Sequence, residues 1–533
     1  MNTTPKNETG RRIASMLLIW LALFIIIILV ETVRGFMLAS AEGIADSLRI
    51  FLQAAIGASF LFPALGLWWL ARRVISGCSW RRAGIVLAAF VLLIALCYAE
   101  EDWRGWHAWK NCKHELEAKG AVLDWDKYIP PPVPDDQNFF KAPKMTDWFV
   151  RGQHGTELQN ALQNSNTFSV ITTGTAANNY LAWCNQSEPQ FDLIREALQR
   201  PYARMDGDYS KPYEQPIPNF VTVRSVAQTL AQRAKCELLL GQPDKALQSV
   251  TLMHDLCRLL EGAPTGKPMT LVAAMINVAV TGLYVNTVAG GLQSRAWQEP
   301  QLAALQKQLA EINLNPLVLH ALQGEPAALC RTAEIVWIPK MFELTGNAKT
   351  KWTDKFRLWR WLFWPRGWTY QNMVNVAMLE QKPLEGFDIV HDTVAPRKFE
   401  AASRDVDRFF RHKSPYRLLA AIAIPNFTKA EQTTVYNQTL VNEAQIACAL
   451  ERYRLAHGGY PETPGALSPQ FIESLPHDLI GGEPLIYRRT ADGKFLLYSV
   501  GWNETDDGGV TVRDKSGNED KTKGDWVWQC PVK

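Results

Sequence analysis

Three uncharged apolar runs open the chain, Ile13 to Val30, Ile50 to Ala71 and Ala83 to Ala99. Each approaches the roughly 20 residues a helix needs to cross hydrocarbon, and the pattern predicts three membrane spans. Arg11 and Arg12 precede the first span, Arg72, Arg73, Arg81 and Arg82 lie between the second and third, and Glu100, Glu101 and Asp102 follow the third. By the positive-inside bias the N-terminus and the arginine loop are cytoplasmic, which puts everything after Asp102 on the outer side. The alternative reading makes the first run a signal peptide with Ala39-Ser40-Ala41 as its cleavage pattern; the last span still exits on the same side.

Beyond Asp102 the pattern changes. Glu100 to Gly120 continues the third span as a helix and carries Trp103, Trp106 and Trp109 at the depth where tryptophan anchors to the interface. Ile129 to Phe139 (IPPPVPDDQNF) reads as an extended, proline-rich stalk. The next stretch is helical by periodicity. In Leu230 to Leu260 apolar residues recur at helical spacing on both sides of Gly241-Gln242-Pro243-Asp244, a helix-to-helix turn. Leu240, Gly241, Ala246 and Leu247 stand where a tetratricopeptide-type hairpin packs; an ordinary helical bundle is the alternative. Met269 to Leu292 lacks any charged residue and predicts a buried core helix, with a fourth span as the rival. Lys351 to Trp368 interleaves tryptophans with Lys and Arg, as a helix on lipid headgroups or a packing helix with snorkelling cations would.

The resulting fold class is a membrane-anchored, mainly α protein. Residues 1–102 form a three-span anchor, 103–150 a membrane-proximal helix and stalk, 151–415 a helical body and 416–533 an α+β domain. The 533 residues carry a formal net charge of +3, which gives no electrostatic case for a nucleic-acid partner. Nine cysteines show no CxxC pair, which argues against a zinc framework; Cys112, Cys184, Cys236, Cys257, Cys330, Cys448 and Cys530 admit one or two disulfides with no pairing assigned.

Catalytic signatures are sparse. The chain has no GxSxG, HExxH, Walker loop or helix-opening GxGxxG. His107 and His114 lie seven apart without the carboxylate of a metal motif. Asp388-Ile389-Val390-His391-Asp392, read as a strand, puts His391 on the face opposite its acidic neighbours, which favours a surface role. An envelope hydrolase therefore needs His254, His320 or His391 beside carboxylates that only the fold brings together.

One loop carries a more specific pattern. In YSVGWNETDDGG, Tyr498 to Gly509, counting from Asn503 places Thr505 at position 3, Asp507 at 5, Gly508 at 6, Val510 at 8 and Asp514 at 12. That is the side-chain register of a calcium loop, although an acidic glycine turn has the same composition.

The residues around it extend the pattern. LLAAIAIPNFTKAE (Leu418 to Glu431) is similar to the second half of the N-terminal helix in type IV pilins and type II secretion pseudopilins. ALERYRLAHGGYPETPGAL (Ala449 to Leu467), LPHDLIGGEPLIYRR (Leu475 to Arg489) and GDWVW (Gly524 to Trp528) resemble, in order, the helix exit, sheet and closing strand of the major pseudopilin. The whole arrangement resembles a family of bacterial membrane proteins that end in this module. The resemblance implies one helix on a small antiparallel sheet, and calcium in the final loop with Asp506, Asp507 and Asp525 among its ligands. No cleavable leader or apolar start precedes Leu418, so the globular fold transfers and filament assembly does not. The residues agree: Ala430 to His457 has helical spacing, Gly458-Gly459 and Pro461 stop it, and Leu485 to Tyr487 and Phe495 to Val500 flank Asp492-Gly493 as a hairpin. The expectation is a non-enzymatic protein of the bacterial inner membrane, its large region periplasmic, with lipid and an envelope protein as partners.

Overall fold

A computed structural model describes residues 80–152, 156–162, 171–262, 270–336, 364–411, 414–424 and 427–528. The first two apolar runs, Lys351 to Phe363 and Cys530 lie outside them. The described residues are mainly helical, with small sheets at the C-terminal end. The chain divides into two compact units, 1–107 with 348–368, and 108–347 with 369–533.

In the first unit the described chain is the opening of helix α1, Trp80–Ala118. It carries Ile85, Val91, Leu92, Leu93 and Leu96 outward; Ile85 is 68% exposed and Leu92 60%. Farther along, a Cβ on Gly105 would meet the Gly367 carbonyl oxygen at 2.4 Å, and the Gly367 N–H donates to Asp102 Oδ1 at 2.7 Å. Glycine is needed at both positions for that backbone approach.

The second unit opens with the proline-rich segment, which lies against the helices instead of standing free. Trp125 Nε1 donates to the Tyr209 carbonyl at 2.8 Å, Tyr128 Oη to the Gln323 carbonyl at 2.9 Å, and Asn138 Nδ2 to the Arg204 carbonyl at 2.7 Å. Prolines set the extended backbone, and the aromatic residues on either side of them supply the adhesion. Phe139 and Phe140, with Met145, Trp148 and Phe149 of α2 (Met145–Phe149), enter the main core.

Short helices α3 (Thr156–Leu162), α4 (Gly174–Cys184) and α5 (Glu188–Ala197) lead to the hairpin of α6 (Phe220–Leu239) and α7 (Pro243–Cys257). Its turn is the Gly241 to Asp244 stretch, with Gly241 at φ +70° and Pro243 opening α7, where a missing N–H costs nothing. Helix α8, Leu271–Gln293, is the uncharged segment, and most of it is buried in this unit. Helices α9 (Glu299–Ala310) and α10 (Leu314–Ile335) follow, then α11 (Arg366–Leu384), the β1–β2 hairpin (Phe387–Asp388, Thr393–Val394), α12 (Pro396–Phe410) and α13 (Leu418–Ala423).

Helix α14, Thr428–His457, is the long helix expected before the glycines, and Gly458 ends it at φ +83°. It packs on α8, α9 and α10, and Val441, Ala444, Ala447, Cys448 and Leu450 join one core that also holds residues from α6, α7, β3 (Ile486–Arg489), β4 (Phe495–Ser499) and β7 (Trp526–Trp528). The helical body and the C-terminal module therefore share a core. Many buried side chains of α14 are polar because they serve the ends of its neighbours. Gln438 Oε1 accepts from the Leu314 N–H at 2.7 Å, its amide nitrogen donates to the Ile312 carbonyl at 3.3 Å, and Gln445 Nε2 donates to the Leu309 carbonyl at 3.3 Å. Those backbone groups belong to the α9 C-terminus and the α10 N-terminus, where intrahelical partners run out.

The main sheet is antiparallel with order β3-β4-β7, pairing Tyr487 with Leu497 and Tyr498 with Val527. A second hairpin, β5 (Thr511–Arg513) with β6 (Glu519–Gly524), stands beside it in sequence. Among the described residues the cysteines, including Cys112, Cys184, Cys236, Cys257, Cys330 and Cys448, are free thiols.

Candidate functional site

Helical spacing builds the wall of a polar cavity of about 210 Å3. On α7 and the turn after it, His254, Cys257, Arg258 and Glu261 follow at steps of three and four, so they share a face. Asn277, Thr281 and Tyr284 do the same on α8. The junction between α9 and α10 closes the third side with Glu311, Ile312, Asn313, Leu314 and Leu317.

The back wall is fixed by its own bonds. Asn277 Nδ2 donates to the Cys257 carbonyl at 3.1 Å, Thr281 Oγ1 donates to Asn277 Oδ1 at 3.2 Å, and Tyr284 Oη donates to Gln308 Oε1 at 3.0 Å. The imidazole of His254 is 13% exposed, with Nδ1 3.5 Å from Asp255 Oδ1 and Nε2 4.0 Å from Glu311 Oε2. Burial pushes the Cys257 thiol up to about 12, which leaves it protonated and a poor nucleophile. Burial likewise drives the Tyr284 phenol well above its ordinary value. The Thr281 hydroxyl is committed to Asn277. Among the described lining residues, His254, Glu261 and Glu311 carry groups able to transfer a proton, and a carboxylate stands near each ring nitrogen of His254.

The other two histidines lie elsewhere. His320 packs beside Tyr128, ring centroids 5.5 Å apart. His391 sits in the exposed turn of the β1–β2 hairpin, where its Nδ1 lies 2.7 Å from Asp388 Oδ2; the turn, rather than a strand, brings the two side chains together. No local signal separates His254 from them, because its carboxylates come from the adjacent residue and from a helix 57 positions along the chain (311 − 254).

The calcium-register residues fold into turns that they hold themselves. Asn503 Nδ2 donates to Asp507 Oδ2 at 2.8 Å, and Asn503 Oδ1 accepts from the Thr505 N–H at 3.2 Å. Asp506 Oδ1 accepts from Tyr498 Oη at 2.9 Å and from the Gly508 N–H at 2.8 Å, bonds that hold its carboxyl below the usual range. Asp525 is buried and takes the N–H groups of Asp507, Gly509 and Val510 at 3.1, 2.6 and 3.2 Å. Asp514 caps a different turn, accepting from Ser516 and Asn518, at the far end of β5 from the Val510–Asp525 backbone bond. Among the described residues no group of three or more His, Cys, Asp or Glu has a metal-holding arrangement. The loop instead docks on α12: Trp502 stacks on Phe399 at 5.7 Å, and Glu504 Oε2 pairs with Arg397 Nε at 2.9 Å.

Comparison with protein-family models, curated proteins and solved structures finds no match for this chain.

Proposed function

We propose that this is a membrane-anchored protein of the bacterial envelope whose exterior unit is a non-enzymatic interaction body with a small-molecule cavity. The observation that carries the reading is the core shared by α14, the helical body and the β3-β4-β7 sheet. A pilin-like helix buried in its own chain is unavailable to pack against other copies, which leaves the unit's surface and its cavity as the means of interaction. The outward leucines and isoleucines of α1 support the anchor, because water disfavours so continuous an apolar surface. The two earlier runs complete the three-span proposal, with the N-terminus cytoplasmic. Crosslinking in intact membranes followed by co-purification should return the same envelope protein repeatedly; repeated recovery of the chain alone would defeat this reading.

A second reading, an envelope hydrolase, is favoured by one observation, the placement of His254 between Asp255 and Glu311 in the polar cavity. Such a histidine could take a proton from a bound water as that water attacks an electrophile. Hydrolysis of ester or amide substrates that is lost in His254→Ala but retained in His391→Ala would establish it. Equal rates in both variants would dismiss it.

A further inference from the structure

We propose that the His254 cavity takes a small organic cation, a molecule bearing a protonated amine and at least one further hydrogen-bonding group; this rests on the reading of the cavity as a ligand site. Charge is the first argument. Glu261 and Glu311 line the cavity, and Asp255 stands against His254. Among the described lining residues Arg258 is the one permanent cation, and it is exposed. The side chains alone therefore leave negative charge in excess when His254 is neutral.

Backbone dipoles push the same way. Helix α7 ends at Cys257, continued by a 3-10 turn to Leu260, and α9 ends at Ala310 with Glu311 in its C-cap position, so two helix C-terminal ends border the cavity. Each carries the negative end of its helix dipole, reduced where Asn277 takes the Cys257 carbonyl and Gln445 the Leu309 carbonyl. The N-terminus of α10 borders the same space with the opposite sign, yet its pull is reduced: the Leu314 N–H is taken by Gln438, and Pro316 has no N–H. An anionic ligand would meet the carboxylates with only part of that helix N-terminus left to hold it.

Size and hydrogen bonding define the rest of the molecule. About 210 Å3 is far more than the ~10–15 Å3 that one water requires and below the range of roughly 300–1,000 Å3 typical of drug-sized ligands. Asn313 occupies the N-cap position of α10 but its side chain makes no capping bond to that helix. It lines the cavity instead, facing a wall that contains Asn277 and Thr281. A short chain with an ammonium at one end and a polar group at the other matches this arrangement.

The test uses the full-length chain in detergent micelles and three four-carbon probes: butane-1,4-diamine, butane-1,4-diol and succinate. They share length and differ in charge. Calorimetry should give the diamine the tightest binding, weakened roughly ten- to hundredfold in Glu311→Gln and in Glu261→Gln, the usual loss for a charge-assisted bond. Neither position is buried, so both variants should keep the native unfolding transition. Glu462→Gln, whose carboxylate pairs with Arg489 away from the cavity, should bind like the parent. Succinate binding more tightly than the diamine, and lost in His254→Ala, would overturn the cationic assignment while keeping the cavity as a ligand site. Diamine binding unchanged in both glutamate variants would also overturn it. Failure of all three probes would remove the ligand inference, and co-purification would still decide the interaction reading separately.

Discussion

The apolar run of α1 and the helix α8 are built from nearly the same residues, and the structure gives them opposite surroundings. From Ile85 to Leu96 the α1 side chains stand outward, whereas 67% of the most apolar stretch of α8 is buried inside the protein. Both are strongly apolar and uncharged. What differs is the set of small and polar residues set into the apolar surface. Helix α8 has Asn277, Thr281, Gly282, Thr287 and Gly291, most of them buried. A Cβ on Gly282 would meet Asn437 Oδ1 of α14 at 2.6 Å, and one on Gly291 would meet Trp297 Nε1 at 2.0 Å. These are notches cut for specific neighbours. The run on α1 has no Asn, Ser or Thr between Ala83 and Ala99, and nothing lies within 4 Å of a Cβ placed on Gly84.

The largest way to break this comparison is a charge at one buried and one outward position. Val278 is fully buried, and Val278→Asp strands a carboxylate in the core at a cost of about 4 kcal/mol or more, a large part of a typical domain's stability. The calorimetric transition of the second unit should vanish or fall steeply. Leu93→Asp on α1 should leave that transition in place and reduce retention in the membrane fraction. If Leu93→Asp unfolded the unit, or if Val278→Asp left it intact, the contrast between the helices would be wrong.

Helix α14 sharpens the contrast from the polar side. Its sequence is rich in Gln, Asn and Glu, yet Glu431, Gln438, Asn442, Glu443 and Glu451 are buried. Burial drives the Glu431 carboxyl up to about 8. Glu431 shares a small cavity with Glu380, Ser403 and Thr428, and burial raises Glu380 well above its ordinary range as well. The sign follows from proton linkage. Below about pH 4 the carboxyl is protonated in both folded and unfolded chains, so stability is unaffected. Between about 4.3 and 8 the unfolded chain releases its proton while the folded one keeps it, and stability falls as pH rises; above 8 the loss is complete. Glu431→Gln removes this contribution. Denaturant unfolding at pH 5 and pH 8 should show a wild-type loss larger by a few kcal/mol than the variant's. Glu380 and Glu443 leave a residual slope in both, because each is also buried and raised. Identical pH dependence in the two proteins would show that Glu431 ionises as freely folded as unfolded.

Much of the local structure was legible in the residues. The α6–α7 turn, the end of α14 at Gly458, the hairpin around Asp492-Gly493 and the core placement of α8 all follow from short-range periodicity and turn chemistry. The proline-rich segment was harder to read, because proline fixes an extended backbone without saying what the flanking aromatics touch. The cavity was illegible for a related reason. His254, Cys257, Arg258 and Glu261 share a face by spacing, but Asn277 and Glu311 reach them only through packing. Along Asn503 to Asp514 the structure sets β5 between Asp507 and Asp514, an interruption that residue spacing does not announce.

The smallest test returns to the two glycines. Gly291→Ala puts a methyl where the Trp297 indole lies 2.0 Å away, so the ring must move and its 3.0 Å bond from Nε1 to the Val288 carbonyl is strained or lost. Trp297 is itself almost fully buried, which leaves it little room to relax. Overpacking of this kind costs about 1–3 kcal/mol, partly offset by the ~0.5–1 kcal/mol that alanine gains over glycine within a helix. A net loss of roughly 1–2 kcal/mol in denaturant unfolding is therefore expected, with an altered tryptophan fluorescence maximum. Gly84→Ala meets no neighbour within 4 Å and should change neither unfolding nor membrane retention. A neutral Gly291→Ala would mean that α8 is held by apolar burial alone, and the notch would lose its role in distinguishing a core helix from an outward-facing apolar one.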